Sequence, residues 1–109
     1  MIYLDNAATT KTCPEAAEAA LLAMTEIYGN PSSTHAKGRE AFRLLEESRR
    51  DVAFALGAAS PNEVVFTSCG SESDNWALLS GAELNRRRGR HIISSVAEHD
   101  AIRRSLDLL

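Results

Sequence analysis

The order in which apolar patterning changes along this 109-residue chain predicts an α/β fold, an incomplete and mostly parallel sheet with covering helices. Three observations carry that expectation. Helical stripes at three- and four-residue steps alternate with two β-branched runs, at residues 63–67 and 91–95. Turn signals punctuate the joints, as in Gly29-Asn30-Pro31, Ser60-Pro61-Asn62 and Gly89. At 44% hydrophobic residues the composition supports a core in one small domain, and no internal repeat or low-complexity tract interrupts it.

The elements follow in order. After the apolar start at Ile2 and Leu4, the small polar run Asp5-Asn6-Ala7-Ala8-Thr9-Thr10 reads as a loop. Pro14 suits the first position of a helix, and Ala16, Ala19, Ala20, Ala23 and Ile27 recur helically behind it. Over residues 34–56, Ala41, Phe42, Leu45, Val52 and Leu56 form one face while Arg39, Arg43, Glu46, Glu47 and Arg50 form the wet one, with Gly57 as the stop. Residues 63–67, Glu-Val-Val-Phe-Thr, predict a buried strand. A helix is expected over 72–84, then the basic turn from Asn85 to Arg90, a second strand over 91–95, and a helix over 100–109. Two strands are too few for a covered parallel sheet, and the last stripe, Ile102, Leu106 and Leu109, is still repeating at the end. The expectation is a piece of a larger domain, poorly soluble alone, with Ile102 and Leu106 uncovered.

Charge and cysteine usage narrow the function classes. Twelve Lys and Arg against 15 Asp and Glu give a net charge of −3, which does not favour a nucleic-acid partner. No apolar run approaches the roughly 18 residues of a membrane span, and no basic segment precedes an apolar one at the N-terminus, so a cytoplasmic location without membrane contact is expected. Cys13 and Cys69 have no CxxC partner, which fits reduced thiols and no metal site. Four arginines in the five residues 86–90 read as a solvated helix end ahead of a phosphate-backbone contact.

Two junctions could carry chemistry. In Phe66-Thr67-Ser68-Cys69-Gly70-Ser71-Glu72 a strand turns directly into a helix, whose first N–H groups and positive dipole end suit an anion. Gly70 would admit phosphate oxygens closely and Ser71 would add a hydroxyl; the alternative is that Ser71 simply caps the helix. The stretch matches neither a Walker loop nor GxGxxG. The second junction is Glu98-His99, beyond the second strand, where open α/β sheets place ligands. There His99 could stack on an aromatic cofactor or move a proton; the alternative is a loop histidine beside a helix N-cap at Asp100. His35 and His91 have weaker cases.

Four motifs then occur in order: Tyr3-Leu4-Asp5-Asn6-Ala7-Ala8-Thr9-Thr10, Tyr28-Gly29-Asn30-Pro31-Ser32-Ser33 with His35, Phe66 to Asn75, and Glu98-His99. Together they resemble the NifS/IscS cysteine desulfurases, class V aminotransferases with the fold of aspartate aminotransferase-like, pyridoxal-phosphate-dependent transferases. The resemblance runs through essentially the whole chain and implies that residues 1–109 are the N-terminal segment and the start of the cofactor-binding large domain, with no second complete domain. It puts the phosphate of pyridoxal 5′-phosphate on Gly70 and Ser71, where the family usually has Thr, and the pyridine ring under His99, which would also help move protons in catalysis. Residues 6–10 and 29–33 resemble loops that wall the active site. Cys69 looks like an activated nucleophile, yet the family's persulfide cysteine lies later in the chain; Cys13 has no motif role. Neither Lys11 nor Lys37 stands in the family's Ser-x-His-Lys context, so the lysine that holds the cofactor is not expected here.

The function implied is conversion of L-cysteine to L-alanine, with sulfur passed to an enzyme persulfide for iron–sulfur cluster assembly. The whole protein would be a homodimer with a sulfur-acceptor or iron–sulfur scaffold partner, and this chain alone would be inactive. A selenocysteine lyase, another class V relative, or a non-catalytic truncated or split chain are the alternatives.

Overall fold

A computed structural model describes residues 2–109, which divide into two compact units, one reaching to Val64 and the other running from Val65 to Leu109. In the first, residues 3–10 fold on themselves: Asn6 Nδ2 donates to the Tyr3 carbonyl at 3.3 Å and Thr10 Oγ1 to the Asn6 carbonyl at 3.0 Å. Helix α1, Pro14–Thr25, starts on its proline as expected but buries no residue. Helix α2, Ala36–Leu56, is amphipathic, buries Gly38, Ala41 and Ala53, and ends on Gly57 in the left-handed conformation, φ 69°. A 3-10 turn, Pro61–Glu63, follows and packs on α2. Arg49 of α2 holds it there by donating to the Val64 carbonyl while pairing with Glu46 at 3.1 Å.

The start of α2 is clamped from the preceding loop. The Lys37 ammonium donates to the Glu26 carbonyl at 3.0 Å, pairs with Glu40 at 3.0 Å and lies 5.5 Å from the centre of the Tyr28 ring. Gly29 and Gly38 allow this closeness. A Cβ on Gly38 would press into the Ser33 carbonyl oxygen and stand 2.7 Å from Ser33 Cβ, and one on Gly29 would press into the Lys37 carbonyl.

The second unit is built on α3, Gly70–Asn85, and the short α4, Asp100–Leu106, which pack against each other. The helices expected over 72–84 and 100–109 are thus found; the first starts two residues earlier, and the second closes at Leu106 with Asp107 as its C-cap. The sheet is not. Helices are the only regular elements among the described residues, so the α/β expectation, with strands over 63–67 and 91–95, requires correction. A β-branched run is a strand only when a neighbouring strand takes up its N–H and C=O groups, and no such ladder forms among the described residues.

The expected core is reduced for the same reason. Ala41 and Ala53 are the buried apolar residues among those described, while Phe54, Leu84, Ile93 and Val96 are exposed. Ile102 and Leu106, expected to lie uncovered, are half-buried against α3. No helix among the described residues is long and apolar enough to cross a membrane.

Candidate functional site

The junction singled out in the sequence does turn from extended chain into a helix, but its capping differs from the expectation. Cys69, extended at φ −166°, is the N-cap of α3; Gly70 and Ser71 are the first and second helical residues, so Ser71 does not cap. Serine in that place leaves its hydroxyl exposed, with no hydrogen bond to another described residue. Nothing lies within 4 Å of where a Gly70 Cβ would stand. Gly81 shares that openness, so space alone does not distinguish Gly70; its place in the first turn of a 16-residue helix, among N–H groups without intrahelical acceptors, does.

One residue further out a polar clasp holds the chain's entry into the helix. Glu72 Oε2 accepts from the Ser68 N–H at 2.6 Å and from the Ser68 hydroxyl at 2.7 Å, so the carboxylate reaches back as in half of a capping box, one position beyond the N-cap. Those two donors, the hydroxyl chiefly, hold the Glu72 carboxyl below the usual range. Thr67 and Ser73 hydroxyls meet at 2.6 Å across the same turn. The Cys69 thiol is exposed and completes no cap hydrogen bond, yet it is also held low, first by the Glu72 N–H and then by the Ser68 hydroxyl. That N–H belongs to the donor-rich end of α3, which favours an anion at the sulfur too.

His99 is exposed and is itself the N-cap of α4, in place of the expected Asp100. Its Nδ1 accepts from the Ala101 N–H at 3.1 Å, which puts the proton of the neutral ring on Nε2. His35 does the same for α2, taking the Gly38 N–H at 3.3 Å, so it serves as a cap. His91 lies exposed in the extended stretch before α4.

Sequence reasoning missed the residues that tie these parts together. Asn75 Nδ2 donates to the Ser71 carbonyl at 2.7 Å, and its Oδ1 lies 2.6 Å from the hydroxyl of Ser105, which is buried at 2% exposure. A serine between Ile102 and Leu106 on an apolar stripe was the available signal. A cavity of about 600 Å³ in this unit sits elsewhere: Leu78, Gly81, Asn85, Arg86, Arg90 and Ile92 are among its walls, and Gly70, Ser71 and His99 are not. Within the basic turn Arg86 pairs with Glu83 at 3.0 Å on the open surface, as a solvated helix end should. No group of His, Cys, Asp or Glu among the described residues has metal-binding arrangement.

Comparison with known proteins agrees with the motif order. The family model described as aminotransferase class-V matches residues 2–108. A cysteine desulfurase IscS of Methanosarcina thermophila is 48% identical over 101 residues, covering 93% of this chain and 25% of its own length. A cysteine desulfurase NifS of Azotobacter vinelandii is 42% identical over 108 residues, 99% of this chain and 27% of the relative. A solved structure of a NifS-like protein superposes with a TM-score of 0.84 at 41% identity, over 94% of this chain and 28% of that one. The chain therefore spans about a quarter of the length of the relatives it matches.

Proposed function

The chain belongs to the class V aminotransferase family and is NifS/IscS-like, and from that premise we propose that it supplies the phosphate-binding and ring-stacking residues of a pyridoxal-phosphate-dependent cysteine desulfurase. In the whole protein the reaction would convert L-cysteine to L-alanine, with the sulfur carried as an enzyme persulfide towards iron–sulfur cluster assembly. A cytoplasmic homodimer that hands sulfur to an acceptor or scaffold protein completes the proposal, and residues 1–109 would be the start of its large domain.

The supporting observation is the first turn of α3. A phosphate group needs several N–H or O–H donors converging on one point and room for its oxygens. Gly70 and Ser71 offer N–H groups at a helix N-terminus, a hydroxyl with no partner among the described residues, and a Cβ-sized space beside Gly70. Replacing the family's usual Thr by Ser71 keeps the hydroxyl and loses only a methyl that restrains its rotation. The donor set therefore fits the phosphate of the cofactor.

His99 would face the ring. With Nδ1 accepting the Ala101 N–H, Nε2 carries the proton of the neutral ring and would be the atom that donates a hydrogen bond at the site. Bound pyridoxal phosphate supplies an electron sink for bond cleavage at the substrate's carbon atoms. A covalent link to the cofactor needs a neutral lysine amine. Lys37 is a poor one: its hydrogen bond to Glu40 raises its pKa and keeps it protonated.

The test is binding by the chain of pyridoxal 5′-phosphate against pyridoxal, followed by borohydride reduction and mass spectrometry. The phosphorylated compound should bind more tightly, and Ser71→Ala should weaken it about tenfold, the scale of one charge-assisted hydrogen bond. No reduced lysine adduct should form. Equal binding of the two compounds, or a stoichiometric adduct at Lys11 or Lys37, would overturn the proposal.

A further inference from the structure

The buried hydroxyl of Ser105 is the one side chain among the described residues that is both polar and fully enclosed, and it belongs to α4, which packs on α3. A buried polar group is costly unless partnered, so its partners show what it does. Its oxygen stands 2.6 Å from both Asn75 Oδ1 and the Ala101 carbonyl oxygen. Asn75 Nδ2 is already committed to the Ser71 carbonyl at 2.7 Å, which turns Oδ1 towards Ser105 and makes the serine the donor. Ala101 in turn gives its N–H to His99 Nδ1 at 3.1 Å. The serine has one proton, and given to Asn75 Oδ1 it links α4 to α3, so hydrogen bonds join Ser71, Asn75 and Ser105, one helical turn after the Ala101 whose N–H holds His99.

We propose that Asn75 and Ser105 are a positioning pair that fixes His99 in register with the first turn of α3. Helix α4 has seven residues, too few to be helical by local propensity, so its place depends on what it touches. Its apolar contacts, from Ile102 and Leu106, are non-directional and tolerate sliding. The hydrogen bond from Ser105 is directional and allows one register. The pair's role towards the cofactor rests on the reading above, in which Ser71 meets the phosphate and His99 the ring: a ligand held at both ends needs the two ends at a set separation.

Two measurements on the chain and its variants test this: affinity for inorganic phosphate and for pyridoxal 5′-phosphate, and amide hydrogen exchange at Ala101, Ile102 and Arg103. Ser105→Ala should leave phosphate binding unchanged, cut the preference for pyridoxal 5′-phosphate over phosphate about tenfold, and speed exchange in α4 by a similar factor. Ser105→Thr, which keeps the hydroxyl, should restore both. In an Asn75→Ala background Ser105→Ala should have little further effect. Unchanged exchange and preference in Ser105→Ala, or no rescue by Ser105→Thr, would overturn the pair. A wild-type chain with no preference for pyridoxal 5′-phosphate would instead overturn the cofactor reading, while faster exchange in Ser105→Ala with rescue by Ser105→Thr would still establish the pair's hold on α4.

Discussion

Glycines do opposite jobs in the two halves of this chain. In the first unit, Gly29 and Gly38 sit where a Cβ would drive into backbone, the Lys37 carbonyl for one and the Ser33 carbonyl for the other. Their absence of a side chain lets the loop at residues 29–33 lie directly on the start of α2. In the second unit, Gly70 faces open space. The first kind is explained by the protein's own packing. The second has no such explanation and stands in a helix first turn, which makes it the kind to examine for a ligand.

Alanine substitution breaks or sharpens that contrast, and the largest effect is expected in the first unit. Gly38→Ala and Gly29→Ala should each destabilise by about 2–3 kcal/mol, the cost of forcing backbone apart, read as a lower thermal midpoint by circular dichroism. Gly70→Ala should leave the midpoint unchanged or raise it, since alanine is the better helix former by up to about 1 kcal/mol. It should weaken phosphate binding all the same, because its Cβ takes the space the oxygens need. Equal midpoints for Gly38→Ala and Gly70→Ala would show that the two glycines do not differ as the geometry says.

The two cysteines repeat the contrast on a smaller scale. Both are exposed N-cap residues, Cys13 before α1 and Cys69 before α3, and neither makes a cap hydrogen bond. Cys69 stands beside a hydroxyl and an N–H that hold its thiol low. At neutral pH Cys69 should react with iodoacetamide several-fold faster than Cys13, because thiolate is the reacting form. Ser68→Ala should narrow the gap, since it removes the second largest of the lowering influences and leaves the Glu72 and Ser71 N–H groups in place. Peptide mapping over a short time course reads both rates; identical rates would remove the electrostatic distinction between the two helix starts.

What the sequence disclosed follows the range of the forces involved. Helices α1 to α4 were legible because their stripes, Pro14 and the left-handed Gly57 act locally. The runs at 63–67 and 91–95 have strand-like residues, but pairing is non-local, and among the described residues no partner strand is present. Caps were misplaced by one or two residues, to Ser71 and Asp100 in place of Cys69 and His99, since cysteine and histidine are uncommon in that position. Gly70, Ser71 and His99 were found by motif. Asn75 lay inside the third motif without a role of its own, and Ser105 lay outside all four, because a hydrogen bond thirty residues apart in sequence leaves no periodic trace.

The smallest expected effect concerns how each unit's main helix begins. Helix α2 carries no acidic residue in its first turn, whereas α3 relies on the Glu72 carboxylate to accept both Ser68 donors. The folded Glu72 carboxyl lies below its usual range, so the ionised form is favoured by folding. Its contribution is fully present above the unfolded glutamic acid value and is lost as pH falls through the lower, folded one. The clasp is exposed, so the gain is small and screened by salt. The Ser68 amide resonance should titrate with Glu72 on the acid side of the ordinary glutamate range and stay flat there in Glu72→Gln, which keeps an acceptor oxygen but no charge. Acid-side loss of stability should be correspondingly shallower in that variant. Superimposable pH profiles for the two chains would mean that Glu72 does not hold the entry to α3, and that the junction depends on the helix's own N–H groups alone.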